Sequence, residues 1–347
     1  MVVFPGLDAW QTPAAWPRIR TVDMHTAGEP LRIITGGFPN VPGSSILERR
    51  QYVEDHLDHL RRRLMWEPRG HRDMYGCLIT APVTAGASFG VIFMHGEGYS
   101  TMCGHGIIAV SKIAVETGLV TATGPETHLV IDTPAGIVES WVRLRDGVAD
   151  AVRFRNVPSY VLCNDESINV PGYGNVRYDI AFGGAYYAFV DAEAIGLQLV
   201  PSEADAIVRA GMAIKRAVME SRPIEHPIER DLGFLYGTIF VGPAQTKGVH
   251  SRNVCVFAEG QIDRSPTGTG VSGRLALHFR KGEIRLNQTI VIESILGSRF
   301  ACSVVGQTSF GGCDAVLPEV EGTAAVTGRS EFVFDPNDPW ADGFLMA

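Results

Sequence analysis

Two stretches of this chain repeat each other, and a repeat of this kind dictates the architecture. Cys103-Gly-His-Gly106 is followed by eleven residues and Gly118, while Thr267-Gly-Thr-Gly270 is followed by eleven residues and Gly282. Each stretch predicts a short helix launched from a loop of small residues and stopped by a C-terminal glycine. The flanks match too. GVIFMHGEG (90–98) and NVCVFAEG (253–260) are apolar β-rich runs ending in Glu-Gly, VIDTPAG (130–136) resembles VIESILG (291–297), and VDMHTAG (22–28) resembles YDIAFGG (178–184).

Each half also predicts one longer amphipathic helix. In the first, Ser44 or Ser45 is the expected cap, and Ile46, Val53, Leu57, Leu60 and Leu64 recur at helical spacing. In the second, Ser202 is the expected cap, and Ile207, Gly211, Ile214 and Val218 form the stripe. The chain therefore reads as an α/β (α+β) protein of two similar halves, residues 1–175 and 176–347, each a β-rich shell around its short helix. Pseudo-two-fold symmetry then sets the two helix N-termini face to face across a cleft, a preferred place for a ligand. The Pro- and Asp-rich tail from Phe332 is expected to pack back on one half or the other.

A helix start presents free backbone N–H groups and the positive end of its dipole, so two opposed starts suit a small carboxylate. Glycines 104, 106, 268 and 270 allow close approach to the backbone. Cys103 at a helix start is expected to be an acidic thiol, in the range of about 3.5–7.5 rather than about 8.5, and a general base. Thr267 at the matching position can hydrogen-bond but not ionise usefully, so the two faces of the cleft are chemically unequal. A helix-capping threonine without a catalytic part competes with that reading. His105 is placed to support the thiolate or a leaving group, and Asp263 to receive an ammonium or to cap its turn.

Other classes fit poorly. A net charge of −8 gives no footprint for nucleic acid or an anionic membrane. The run Arg61-Arg62-Arg63 reads as a solvated helix end, and His56 and His59 as an exposed helix face rather than a metal site. PTGTG (266–270) lacks the Lys-Ser/Thr that completes a phosphate loop. The six cysteines are scattered, as free thiols in a reducing compartment, and apart from Cys103 they read as small core residues. With no signal-peptide pattern and no long apolar run, a cytoplasmic location is the expectation.

MHTAGEPLRI (24–33), MCGHG (102–106), FGGAYYAFVD (182–191), GTIFVGPA (237–244) and EGQIDRSPTGTG (259–270) together resemble the proline racemase family, spread over nearly the whole chain. The resemblance implies the diaminopimelate-epimerase type of fold, with the site between two halves and no cofactor or metal. In the racemases and 4-hydroxyproline epimerases of that family two cysteines flank the α-carbon; this chain matches at Cys103 and departs at Thr267. The departure resembles the branch of trans-3-hydroxy-L-proline dehydratases. It implies Cys103 and Thr267 as catalytic residues and ligand contacts at Gly104, His105, Asp263, Gly268 and Thr269. It also implies a small amino-acid substrate, with a homodimer left open. Epimerisation of 4-hydroxyproline or racemisation of proline is the alternative activity, and a non-catalytic amino-acid-binding protein is the alternative class.

Overall fold

A computed structural model describes residues 4, 6 and 9–346. Its four principal helices are α1 (Ile46–Met65), α2 (Gly104–Glu116), α3 (Ala204–Ser221) and α4 (Gly268–Arg280), set among eighteen strands of one hydrogen-bonded network. Strands that lie parallel need a crossover between them. In the first half Glu29–Gly36 and Tyr75–Thr80 are parallel with α1 as the crossover, and Phe89–His95 and Glu126–Thr133 are parallel with α2 as theirs. The second half repeats this: α3 joins Tyr186–Asp191 to Leu235–Gly242, and α4 joins Ser251–Phe257 to Ile290–Glu293. The same order of strand, crossover helix and parallel strand thus occurs twice along the chain.

The halves are stitched together by an exchange. Ser159–Val170 runs antiparallel to Gly174–Phe182, the first strand of the second half, and Ala324–Val333 runs antiparallel to Arg18–Thr26, the first strand of the first. Each half thus lends its last strand to the other, which ties the two barrels across the cleft. The tail follows the exchanged strand onto the first half, where Asp338 pairs with Arg69 at 3.0 Å and Asp342 with Arg63 at 2.8 Å.

The outer helices follow their sequence stripes. Ser45 Oγ accepts the Glu48 N–H at 3.1 Å, and Ile46, Val53, Leu60 and Leu64 are buried, with Leu57 half-buried. For α3 the expected cap fails: Ser202 lies in a 3-10 turn (Pro201–Glu203), and Glu203 precedes the helix without a side-chain cap. Pro201 starts that tighter turn, since its fixed φ suits a helical first position. Arg61 also departs from its reading as a solvated residue. It is buried, pairs with Asp58, and donates to the His95 carbonyl at 2.9 Å, bracing the loop behind the site.

Helices α2 and α4 are buried along nearly their whole length, as their mostly apolar and small residues require. Gly118 and Gly282 end them with φ of 74° and 72°, where glycine carries no Cβ penalty. The two N-termini meet head-on. A Cβ on Gly104 would lie 2.6 Å from Gly268 Cα, and one on Gly268 would lie 2.8 Å from Gly104 Cα. Backbone cannot yield as a side chain can, so Gly104→Ala is expected to push the halves apart at a cost of about 1–3 kcal/mol. Chemical unfolding would show the lost stability, and a midpoint unchanged from the unaltered chain would refute the close contact.

Candidate active site

Cys103 precedes α2 with extended backbone, and its Sγ accepts the Gly106 N–H at 3.2 Å, so the thiol itself caps the helix. His105 Nδ1 is 3.2 Å from the same sulfur. The MHTAGEP segment fixes that histidine: Thr26 Oγ1 donates to the His105 carbonyl at 2.8 Å, and the Pro30 backbone bonds the ring. Burial drives the imidazole down to about 3, so it is neutral and gives the sulfur a dipole rather than a charge.

Thr267 sits opposite at the start of α4, and it is not the capping threonine that the sequence allowed. Its φ is 66°, its side chain makes no cap, and its Oγ1 is buried without a well-formed hydrogen bond, with the Asp263 carboxyl and the Cys255 thiol close by. Ser265 Oγ accepts the Thr267 N–H at 3.1 Å, and Asp263 Oδ1 accepts the Ser265 N–H at 2.7 Å. These two bonds fold the DRSPT segment into a tight turn that aims residue 267 inward. Burial pushes the Asp263 carboxyl upward, against the lowering bonds from Ser265.

Cys103, Gly104, His105, Asp263, Thr267, Gly268 and Thr269 all line one small cavity at the meeting point of the helices. Every site residue expected from the sequence is therefore brought together. Met102, Tyr75, Tyr187, Tyr236, Cys255 and Phe257 complete the wall and were not anticipated there. Cys255 keeps its expected place in the buried core and also borders the cavity, whereas Cys163 and Cys313, likewise expected to be core, are only half-buried. A signal for two of the phenols was present: Tyr75-Gly76 and Tyr236-Gly237 stand at the start of repeat-related strands.

The cavity measures ≈ 20 Å³, room for about one water. An amino acid with a five-membered ring enters only when the halves part. A half-buried contact clasps them: the buried Glu29 of the first half accepts the Arg264 backbone N–H at 2.8 Å and meets the partly exposed Arg264 guanidinium at 3.2 Å. A larger groove of ≈ 820 Å³, among Ile34, Phe38 and Leu78, touches α2 only toward its far end and holds neither helix start.

In this closed form the expected acidity of the thiol is reversed. Burial pushes the Cys103 thiol well above its usual value, outweighing the lowering bond from Gly106, and nearby Asp263 adds to the rise. The helix start offers a partial charge, whereas complete burial removes water from all sides. A base that must be thiolate then gains activity as pH climbs toward its raised pKa. The expected profile of kcat/KM, which reports the free enzyme, rises roughly tenfold per pH unit from pH about 6 upward. A flat kcat/KM between about pH 6 and 9 would contradict it.

A thiol and a free hydroxyl facing each other at two helix starts in a closed cleft define a proton-transferring enzyme of the diaminopimelate-epimerase-like fold. The profile described as proline racemase matches residues 21–345, and the chain belongs to the proline racemase family. A trans-3-hydroxy-L-proline dehydratase of Colwellia psychrerythraea is 48% identical over 94% of this chain and 92% of its own length. A 3-hydroxyproline 2-epimerase of Burkholderia multivorans is 44% identical over 94% of this chain and 98% of its own. The solved hydroxyproline epimerase of Agrobacterium vitis, with bound trans-4-hydroxy-L-proline, superimposes with a TM-score of 0.90 at 29% identity, covering 95% of this chain and 96% of that one.

Proposed function

We propose that this enzyme dehydrates trans-3-hydroxy-L-proline to Δ1-pyrroline-2-carboxylate. The observation that carries the reading is Thr267: one face of the cleft holds a thiol at the helix start, and the other holds a buried hydroxyl that cannot serve as a second base. Dehydratases among the relatives agree with it.

Backbone N–H groups of Gly104, His105, Gly268 and Thr269, free of intrahelical partners at the two starts, bind the carboxylate and stabilise charge that develops on it. Asp263 receives the ammonium. That cation also draws the Cys103 thiol back down toward ionisation. The thiolate takes the α-proton, the electron pair forms the Cα=C3 bond, and the 3-hydroxyl leaves as water. In the trans isomer the α-hydrogen and the hydroxyl share a ring face, so elimination is syn and one side of the cleft suffices. The Δ2 enamine then tautomerises to the Δ1 imine. The mechanism calls on no cofactor, and the two sequence halves act as the two jaws. We place the enzyme in the cytoplasm, a reading supported by six unpaired cysteines; no helix among the described residues is long and apolar enough to cross a membrane.

A second reading is 2-epimerisation of the same substrate. It draws on the name of the Burkholderia multivorans relative and on the Cys255 thiol close to Thr267. Proton NMR in D2O on trans-3-hydroxy-L-proline, trans-4-hydroxy-L-proline and both proline enantiomers separates the readings. Conversion of the 3-hydroxy compound alone to a pyrroline carboxylate supports dehydration. Its inversion with α-deuterium uptake and no pyrroline would replace dehydration by epimerisation.

A further inference from the structure

Dehydration needs an acid for the departing oxygen, and four polar groups near the cavity are already committed or misplaced. His105 is neutral, with its ring held between Cys103 and Pro30. The Tyr187 hydroxyl is bonded to Thr269 Oγ1 at 2.7 Å, and the Tyr75 hydroxyl to Ser100 Oγ. Thr267 stands at the start of α4, across from Cys103 at the start of α2, and so addresses the ring face opposite both leaving groups.

Tyr236 is the exception. It is 8% exposed, it lines the cavity, and its hydroxyl is buried without a well-formed hydrogen bond, only the Tyr75 and Ser100 hydroxyls standing close by. Leaving such a group unsatisfied costs about 1–3 kcal/mol, which a ligand atom placed there would recover. The ring cannot swing away. It stacks on Phe257 at 5.5 Å and meets Tyr187 edge-on at 5.8 Å and His95 at 6.2 Å. Burial also holds the phenol far above its usual pKa, so it arrives protonated in every cycle, and it lies close enough to Cys103 to feel that thiol's charge. Tyr75 neighbours both Tyr236 and Cys103, with its ring edge-on to His105 at 4.8 Å.

We propose that the Tyr236 hydroxyl is the catalytic acid for the leaving 3-hydroxyl, and that Tyr75 links it to Cys103. This assignment rests on the dehydratase reading. As the Cα–H bond breaks, its proton goes to the Cys103 sulfur and its electron pair forms Cα=C3. The C3–O bond breaks, and the oxygen takes the Tyr236 proton to depart as water. The new Cys103 S–H passes its proton through the Tyr75 hydroxyl to Tyr236, restoring thiolate and phenol. Substrate has then become enamine and water, with no net change in the enzyme.

The test compares two leaving groups. Fluoride departs with little help from an acid, so trans-3-fluoro-L-proline isolates proton abstraction from acid assistance. Tyr236→Phe is expected to lower kcat for trans-3-hydroxy-L-proline by about 100-fold or more, while fluoride release, read with an electrode, stays within a few-fold of the unaltered enzyme. Equal losses on both substrates, or an undiminished dehydration rate, would overturn the assignment. With the unaltered enzyme, the solvent deuterium isotope effect on kcat should be larger for the hydroxy than for the fluoro compound. Equal isotope effects would overturn it whether or not the variant folds. If the unaltered enzyme leaves trans-3-hydroxy-L-proline intact, the dehydratase reading itself fails, an outcome distinct from a change confined to Tyr236.

Discussion

Cys103→Ser is expected to lower turnover of trans-3-hydroxy-L-proline by roughly 10⁴-fold, at the upper end of what a positioned base supplies. The fold should survive the change. Serine is a strong N-cap residue, and its hydroxyl can accept the Gly106 N–H that Cys103 Sγ now accepts at 3.2 Å. The hydroxyl cannot ionise at working pH, so the cap is kept and the base is lost. Binding of L-proline by calorimetry should change by no more than a few-fold, because the carboxylate is held by backbone N–H groups of both helices. Cys255→Ser is the control. Cys255 borders the same cavity, yet it lies on the Thr267 side and should leave dehydration nearly intact. A Cys103→Ser enzyme within tenfold of the unaltered rate would remove Cys103 from the mechanism, and a collapse with Cys255→Ser would move the base to the other face.

The sequence repeat made the central helices and their opposition legible because both depend on local signals: glycine loops, helix length and a C-terminal glycine. The exchange of Ala324–Val333 onto the first half was not legible, since register between strands some 300 residues apart, as between Arg18 and Val333, leaves no local mark; that of Ser159–Val170 is a hairpin with Gly174–Phe182, and only its crossing from one half to the other was hidden. The site divides the same way. Cys103, Gly104, Gly268 and Asp263 announce themselves through loop chemistry, whereas Tyr75, Tyr236 and Cys255 lie on apolar strands where an inward side chain reads as core. Ionisation was the least legible property. A thiol at a helix start is ordinarily acidic, but the extent of burial that reverses this for Cys103 exists only after both halves close. Arg61 shows the same limit, as a charge read as solvated that the fold buries to brace the His95 loop.

Thr267→Cys should convert the site from one-sided to two-sided. Inversion at the α-carbon needs a proton donor on the face opposite the base, and the threonine hydroxyl there is too weak an acid to supply one near neutral pH. A thiol in its place sits at a helix start, against the cavity and across from Cys103, where it can return a proton to the planar intermediate. With trans-4-hydroxy-L-proline in D2O, the variant is expected to incorporate α-deuterium and invert at least about 100-fold faster than the unaltered enzyme. Dehydration of the 3-hydroxy substrate should fall, because the intermediate can now be reprotonated before its hydroxyl departs. Stability favours the exchange as well. Thr267 holds φ at 66°, a region costing roughly 1–3 kcal/mol outside glycine, and it is β-branched with its methyl packed toward Gly270. Cysteine lacks the branch, so the unfolding midpoint should hold or rise. Proton NMR with chiral separation reads both activities in one sample. A variant that dehydrates as before and takes up no α-deuterium would mean that residue 267 does not face the α-carbon, and the difference between dehydration and inversion would then lie in another residue of the cavity wall.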